Sequence, residues 1–185
     1  MRIGAGDSRG AILRTPKGSR TRPTSALVKK SLFSMLENLK DMDSQFLDLF
    51  AGSGALGMEA LSRGARGVDF VEQNERASAL IKQNLASLGF SERARVYKSP
   101  VKKALFFLDK KYDVIFLDPP YKSEELTSVL EALSRADITQ AGAVLAIPHS
   151  SRTEMNEACG LFHLLRQRRH GDTTISIYIR EEEKI

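Results

Sequence analysis

The chain has 185 residues, 42% hydrophobic and 28% charged, a balance that suits one globular domain with a short extension. No apolar run approaches the roughly 20 residues of a membrane helix, and no apolar signal core follows Met1, so a cytoplasmic protein off the membrane is expected. The single Cys159 excludes an internal disulfide, and one Cys with three scattered His leaves no zinc-type cluster, so no metal is expected.

The net charge of +5 is uneven. Residues 1–30 carry eight basic side chains and one acid, Asp7, while the remainder is slightly acidic. A concentrated basic segment is an electrostatic footprint for a polyanion. Residues 1–22 read as a basic N-terminal arm or hairpin, with β-like pieces at 1–3 and 11–13. Residues 23–185 read as one α/β domain.

Thr24 or Ser25 can cap a first helix, whose apolar positions run from Leu27 to Leu39 at helical spacing. Strands and helices then alternate. Predicted strands cover 45–50, 67–72, 94–98, 112–118 and 143–148. Predicted helices cover 54–63, 75–88 (stopped by Gly89), 101–108, 123–135 and 151–158. Segments 161–168 and 173–180 close the chain as an antiparallel pair turned at His170-Gly171-Asp172. The alternation implies a mostly parallel, seven-stranded sheet with helices on both faces. Phe33 and the Phe106-Phe107 pair read as core. His149 reads as a non-catalytic loop histidine near the sheet's ligand edge.

Two turns carry the chemistry. Asp48-Leu49-Phe50-Ala51-Gly52-Ser53-Gly54-Ala55-Leu56-Gly57 joins the first strand to its helix. Its three glycines match G-x-G-x-x-G, which lets a backbone turn tightly and approach a ligand closely. Glu72 ends the second strand 20 residues after Gly52, where a carboxylate can accept both hydroxyls of a ribose. The pattern also fits a dinucleotide. Asp48, however, would repel a pyrophosphate and attract an ammonium. S-adenosylmethionine, with a ribose, an ammonium and no phosphate, suits these charges better than a nicotinamide cofactor.

The second turn, Asp118-Pro119-Pro120-Tyr121, follows the fourth strand 66 residues after Gly52. Proline fixes its own φ and pushes the preceding residue to extended geometry. Such a turn holds a carboxylate and backbone carbonyls as fixed acceptors, with an aromatic ring beside them. That arrangement suits an exocyclic amine on a planar base.

With these residues in view, the chain resembles class I S-adenosylmethionine-dependent methyltransferases that methylate amines. More narrowly it resembles the RsmD type, bacterial enzymes acting on N2 of a guanine in 16S ribosomal RNA. The narrower match rests on Arg2-Ile3-Gly4, Arg9-Gly10, Thr21-Arg22-Pro23-Thr24, and the stretch from Phe50 to Ala65. The resemblance implies a Rossmann-like fold and a monomer whose partner is 16S ribosomal RNA or the small ribosomal subunit. It implies cofactor contacts from Asp48, Phe50, Ala51, Gly52, Ser53, Gly54, Gly57, Glu72, Gln73, Ser99 and Asp118. Catalysis would fall to Asp118, Pro119, Pro120 and Tyr121. RNA binding would fall to Arg2, Arg9, Arg14, Arg20 and Arg22, with Arg166, Arg168 and Arg169 as a second patch.

The chain departs from the family pattern at Lys29-Lys30, where an Arg-Glu pair is usual. It departs again at Ser99-Pro100, where an acid commonly faces the adenine, and at Ile147-Pro148-His149. Competing readings are a DNA amino-methyltransferase, a non-catalytic RNA-binding assembly factor, and a small-molecule methyltransferase.

Overall fold

The computed structural model describes residues 1–15, 25–119 and 123–181, with backbone alone at 123–125. Helix α1 spans Ala26–Leu36, and Ser25 caps it by accepting the Val28 N–H at 3.2 Å. In chain order there follow β1 (Gln45–Leu49), α2 (Ala55–Ser62), β2 (Gly67–Val71), α3 (Glu75–Leu88) and β3 (Ala94–Tyr97). Then come α4 (Val101–Ala104), β4 (Tyr112–Leu117), α5 (Ser123–Arg135), β5 (Thr139–Ser150), β6 (Ala158–Cys159), β7 (Phe162–His170) and β8 (Thr173–Arg180).

These strands form one sheet in the order β3-β2-β1-β4-β5-β8-β7-β6. The expected sheet was seven-stranded and mostly parallel. The sheet has eight strands and is mixed, with four parallel pairings among β1 to β5 and three antiparallel pairings among β5 to β8. The eighth strand is β6, only two residues long. A strand that short carries no period for a sequence to reveal.

Strand alternation separates two cores. On β1, Phe46 faces one side with Phe33, Phe70 and Phe116, under α1, α2 and α3. The Phe33 and Phe116 rings meet edge-on, 5.7 Å between centroids. Leu47 and Leu49 face the other side, under α4 and α5. Both faces being covered explains why the central strands are almost continuously apolar.

The basic N-terminal segment is fastened to the domain as far as it is described. Residues 1–13 fold back as a hairpin: Ile3 N–H donates to Ala11 O and Leu13 N–H to Met1 O. Ile3 and Leu13 enter the α1–α3 core. Gly4 and Ala5 N–H donate to Glu59 of α2, at 2.8 and 3.0 Å. Asn84 of α3 brackets the Arg14 backbone, accepting its N–H and donating to its carbonyl, each at 3.0 Å.

Three local expectations fail for physical reasons. Residues 151–157 are turn and irregular chain, and 158 belongs to β6, so the predicted helix is absent. Serines there bond locally instead: Ser151 Oγ donates to Gly171 O, and Arg152 N–H to Ser150 Oγ. The predicted helix 101–108 stops at Ala104, beyond which Phe106 and Phe107 N–H bond three residues back. The Phe106-Phe107 pair therefore does not enter the core. Val101, Ala104, Leu105 and Leu108 complete the buried stripe, and both phenylalanines point outward. Phe33, by contrast, is fully buried.

Candidate active site

The chain leaves β1 at Leu49 and turns sharply. Phe50 adopts φ 58°, a left-handed conformation unusual for a residue with a side chain. Ala51 N–H donates across to Val71 O at 3.1 Å, so the loop is tied to the exit of β2. Gly52 (φ 54°) and Gly54 (φ 75°) complete the turn into α2.

The glycines have different tasks. A Cβ on Gly57 would fall 2.3 Å from Phe70 Cε1 and 2.8 Å from Val68 Cγ1, so this glycine lets α2 lie against β2. A Cβ on Gly54 would meet Met58, Ile81 and Phe70 at 3.1–3.3 Å. At Gly52 the nearest atom would be Phe50 O at 3.9 Å. Gly52 thus borders open space where a ligand can approach the backbone.

Three carboxylates converge on this loop from the C-terminal ends of three adjacent strands. Glu72, just past β2, is held by two backbone donors: Gly52 N–H to Oε2 at 2.8 Å and Asn74 N–H to Oε1 at 2.7 Å. Asp48 on β1 is 2% exposed and accepts the Gly57 N–H at 2.9 Å. Burial raises its pKa well above the ordinary carboxylate value. The Gly57 bond opposes that shift, and the charges of Asp118 and Glu72 add to it. Asp118 leaves β4 half-buried, with Pro119 after it. Such a cluster favours a cation and hydroxyl donors and repels a phosphate.

Beside the loop lies a cleft of about 410 Å³, lined by Phe50, Gln73, Pro100, Val101, Lys102, Ser128 and Val129. Its apolar walls suit a flat heteroaromatic ring. Ser99 is buried and turned away: its hydroxyl donates to the Pro100 carbonyl at 3.1 Å. Pro100 and Val101, not Ser99, present themselves to the cleft.

The structure brings Asp48, Phe50, Ala51, Gly52, Ser53, Gly54, Gly57, Glu72, Gln73 and Asp118 to one edge of the sheet. Pro120, Tyr121, Arg20 and Arg22 lie outside the described residues. Arg2, Arg9 and Arg14 are exposed on the hairpin, and Arg166, Arg168 and Arg169 are exposed on β7. His149 is a buried strand residue. Its Nε2 lies 2.7 Å from Ser176 Oγ and its Nδ1 2.9 Å from Ser150 O, and burial lowers its pKa. Among the described residues no His, Cys, Asp and Glu group could hold a metal ion, and no helix is long and apolar enough to cross a membrane.

A family model described as "Conserved hypothetical protein 95", the RsmD family, matches residues 1–179. This chain belongs to the RsmD family. It is 35% identical over 181 residues to the Bacillus subtilis protein called "Putative rRNA methyltransferase YlbH", covering 96% of this chain and 98% of that one. It is 32% identical over 186 residues to "Ribosomal RNA small subunit methyltransferase D" of Escherichia coli K12, covering 99% and 91%. The solved structure titled "Putative methyltransferase yhhF from Escherichia coli" superposes with a TM-score of 0.87 at 32% identity, covering 98% of each chain.

Within this RsmD-family site, sequence reasoning missed Pro100, Val101, Lys102, Ser128 and Val129. Pro100 and Val101 open α4 directly after β3, a position that the Rossmann-like arrangement itself places at the ligand edge. Ser128 and Val129 sit mid-helix in α5, where no local pattern separates a cleft wall from an ordinary core face.

Proposed function

We propose that this RsmD-family chain transfers a methyl group from S-adenosylmethionine to the exocyclic N2 amine of a guanine in 16S ribosomal RNA. The carboxylate-ringed glycine loop carries the cofactor reading. Glu72 is preset by two backbone N–H groups to receive ribose hydroxyls. Asp48 and its acidic neighbours supply the negative field that suits the ammonium. Gly52 leaves room for close approach, and the cleft at Phe50, Pro100 and Val101 accepts the adenine. S-adenosylmethionine supplies an already activated methyl on its sulfonium. The chain's own task is therefore alignment and charge stabilisation.

The Asp118 carboxylate and the Pro119 carbonyl accept the two amine N–H bonds and aim the nitrogen lone pair along the reaction line. They also stabilise the positive charge that develops on nitrogen. Tyr121 supplies the stacking ring for a base taken out of its helix or presented by a loop. Arg2, Arg9 and Arg14, with Arg20 and Arg22, meet the phosphates. The relatives named as ribosomal RNA methyltransferases support this substrate over DNA.

The test is transfer of labelled methyl from S-adenosylmethionine to small ribosomal subunits from cells lacking the enzyme, to free 16S RNA, and to duplex DNA. Each sample is digested to nucleosides afterwards. Label in N2-methylguanosine from the ribosomal samples alone is expected; label in DNA overturns the reading. Asp118→Ala is expected to lose at least about 100-fold in turnover while still binding cofactor. Near wild-type turnover in that variant removes Asp118 from the mechanism.

A further inference from the structure

Of the described large apolar side chains, Phe106 is the most exposed, at 90%. It follows α4, whose buried stripe is already complete without it. The neighbouring Phe107 is 46% exposed and packs against Tyr97, the last residue of β3, with ring centroids 5.7 Å apart. Strand β3 is one edge of the sheet. Lys102, one helical turn before Phe106, lines the cofactor cleft, and Lys103 beside it is exposed. Lys98, also exposed, stands at the exit of β3, 3.7 Å from Glu75. Asp109 is the exposed acid just beyond the aromatic pair.

A flat ring held in water, flanked by cations and one turn from the cofactor cleft, has a specific chemical complement. That complement is an unpaired base with its two phosphates. A second copy of this chain would bring the same lysines against these. A protein partner would need a broader apolar area than one ring and the half-exposed edge of another.

We propose that Phe106 is a stacking platform for an unpaired base of the RNA substrate, with Lys102 and Lys103 on the flanking phosphates. This rests on the RNA-methyltransferase reading and deepens it. It places a second RNA contact at the β3 edge, separate from the hairpin arginines. The RNA strand then passes the mouth of the cofactor cleft between two anchors.

The test compares wild type with Phe106→Ala, Phe106→Leu, Phe106→Trp and Lys103→Ala, each checked for an unchanged thermal melt. Binding of free 16S RNA is measured by fluorescence anisotropy at several salt concentrations, and cofactor affinity by calorimetry. Phe106→Ala and Phe106→Leu are expected to weaken RNA binding about tenfold, the scale of one lost stack, while Phe106→Trp retains it. Cofactor affinity stays at the wild-type value in all four. Lys103→Ala is expected to flatten the salt dependence by about one phosphate contact.

RNA binding by Phe106→Ala within twofold of wild type overturns the platform. So does full recovery by Phe106→Leu, which would mark a plain apolar contact, or a dimer that dissolves in Phe106→Ala. The binding readout needs no methyl transfer. Loss of RNA binding in Phe106→Ala while wild type methylates no RNA leaves the platform standing and removes the proposed activity. Methylation of RNA with unchanged binding in Phe106→Ala does the reverse.

Discussion

Glu59 and Asp48 are both buried acids that fasten α2, yet one is wrapped in cations and the other in acids. Glu59 accepts Lys29 Nζ at 2.6 Å, Arg63 Nε at 3.0 Å, and the Gly4 and Ala5 N–H groups. Lys29 in turn donates to Arg2 O at 2.6 Å. Burial pushes the Glu59 pKa up, but the Lys29 hydrogen bond, the Gly4 N–H, the Lys29 charge and Arg63 outweigh it, and the net shift is down. Asp48 accepts one backbone N–H and shares its surroundings with Asp118 and Glu72, so its pKa moves up. Glu59 therefore works as a structural clamp that joins hairpin, α1 and α2. Asp48 stores electrostatic strain at the ligand edge, a pattern expected of sites whose task is to bind charge.

The largest effect should come from opening the clamp. Glu59→Ala leaves Lys29 buried without its anion, at a cost of about 3–5 kcal/mol. Urea denaturation checks this, and a loss below about 1 kcal/mol would erase the contrast with Asp48. Next comes Gly57→Ala, whose new Cβ would press on Phe70 and Val68. A cost of about 1–3 kcal/mol is expected, with weaker cofactor binding because α2 and its loop must shift.

The smallest effect, of opposite sign, is Asp48→Asn. The amide oxygen still accepts the Gly57 N–H while the buried charge disappears, so the melting temperature should rise slightly at neutral pH. Calorimetry should show weaker binding of S-adenosylmethionine in the same variant. The pH dependence separates the two acids further. Glu59, with its lowered folded pKa, contributes stability above the ordinary carboxylate range and loses it as pH falls through the folded value. Asp48, with its raised folded pKa, contributes in acid, and that contribution is lost as pH rises through the folded value. The advantage of Asp48→Asn over wild type should therefore grow from acid toward neutral pH. An advantage that is flat across pH would show that Asp48 carries no such strain.

The active-site edge was legible because its signals are local. Gly52, Gly54 and Gly57 mark a tight strand-to-helix turn, Glu72 ends an apolar run, and Asp118 precedes two prolines. The β/α alternation then carries these turns to the same end of the sheet. The clamp was not legible, because Lys29 and Glu59 are 30 residues apart and Lys29-Lys30 reads as solvated charge. Nothing local reveals that Lys29 is 3% exposed. The outward Phe106 was missed for a related reason. Composition favours burying phenylalanine, while the stripe already filled by Val101, Ala104, Leu105 and Leu108 leaves it no inner face. Strand β6 has too few residues to declare itself.

The position of β8 sets an order on how the sheet can be completed. It lies between β5 and β7, bonded to both, yet follows both in the chain. During vectorial synthesis one edge of β5, from Val144 to Ser150, stays open until residues 173–180 leave the ribosomal tunnel. That edge is apolar and contains a single proline, the kind of surface that pairs with other chains. A polypeptide interrupted before Thr173 thus exposes a sticky central strand, so completion of the final hairpin is also the step that makes the nascent domain safe from aggregation.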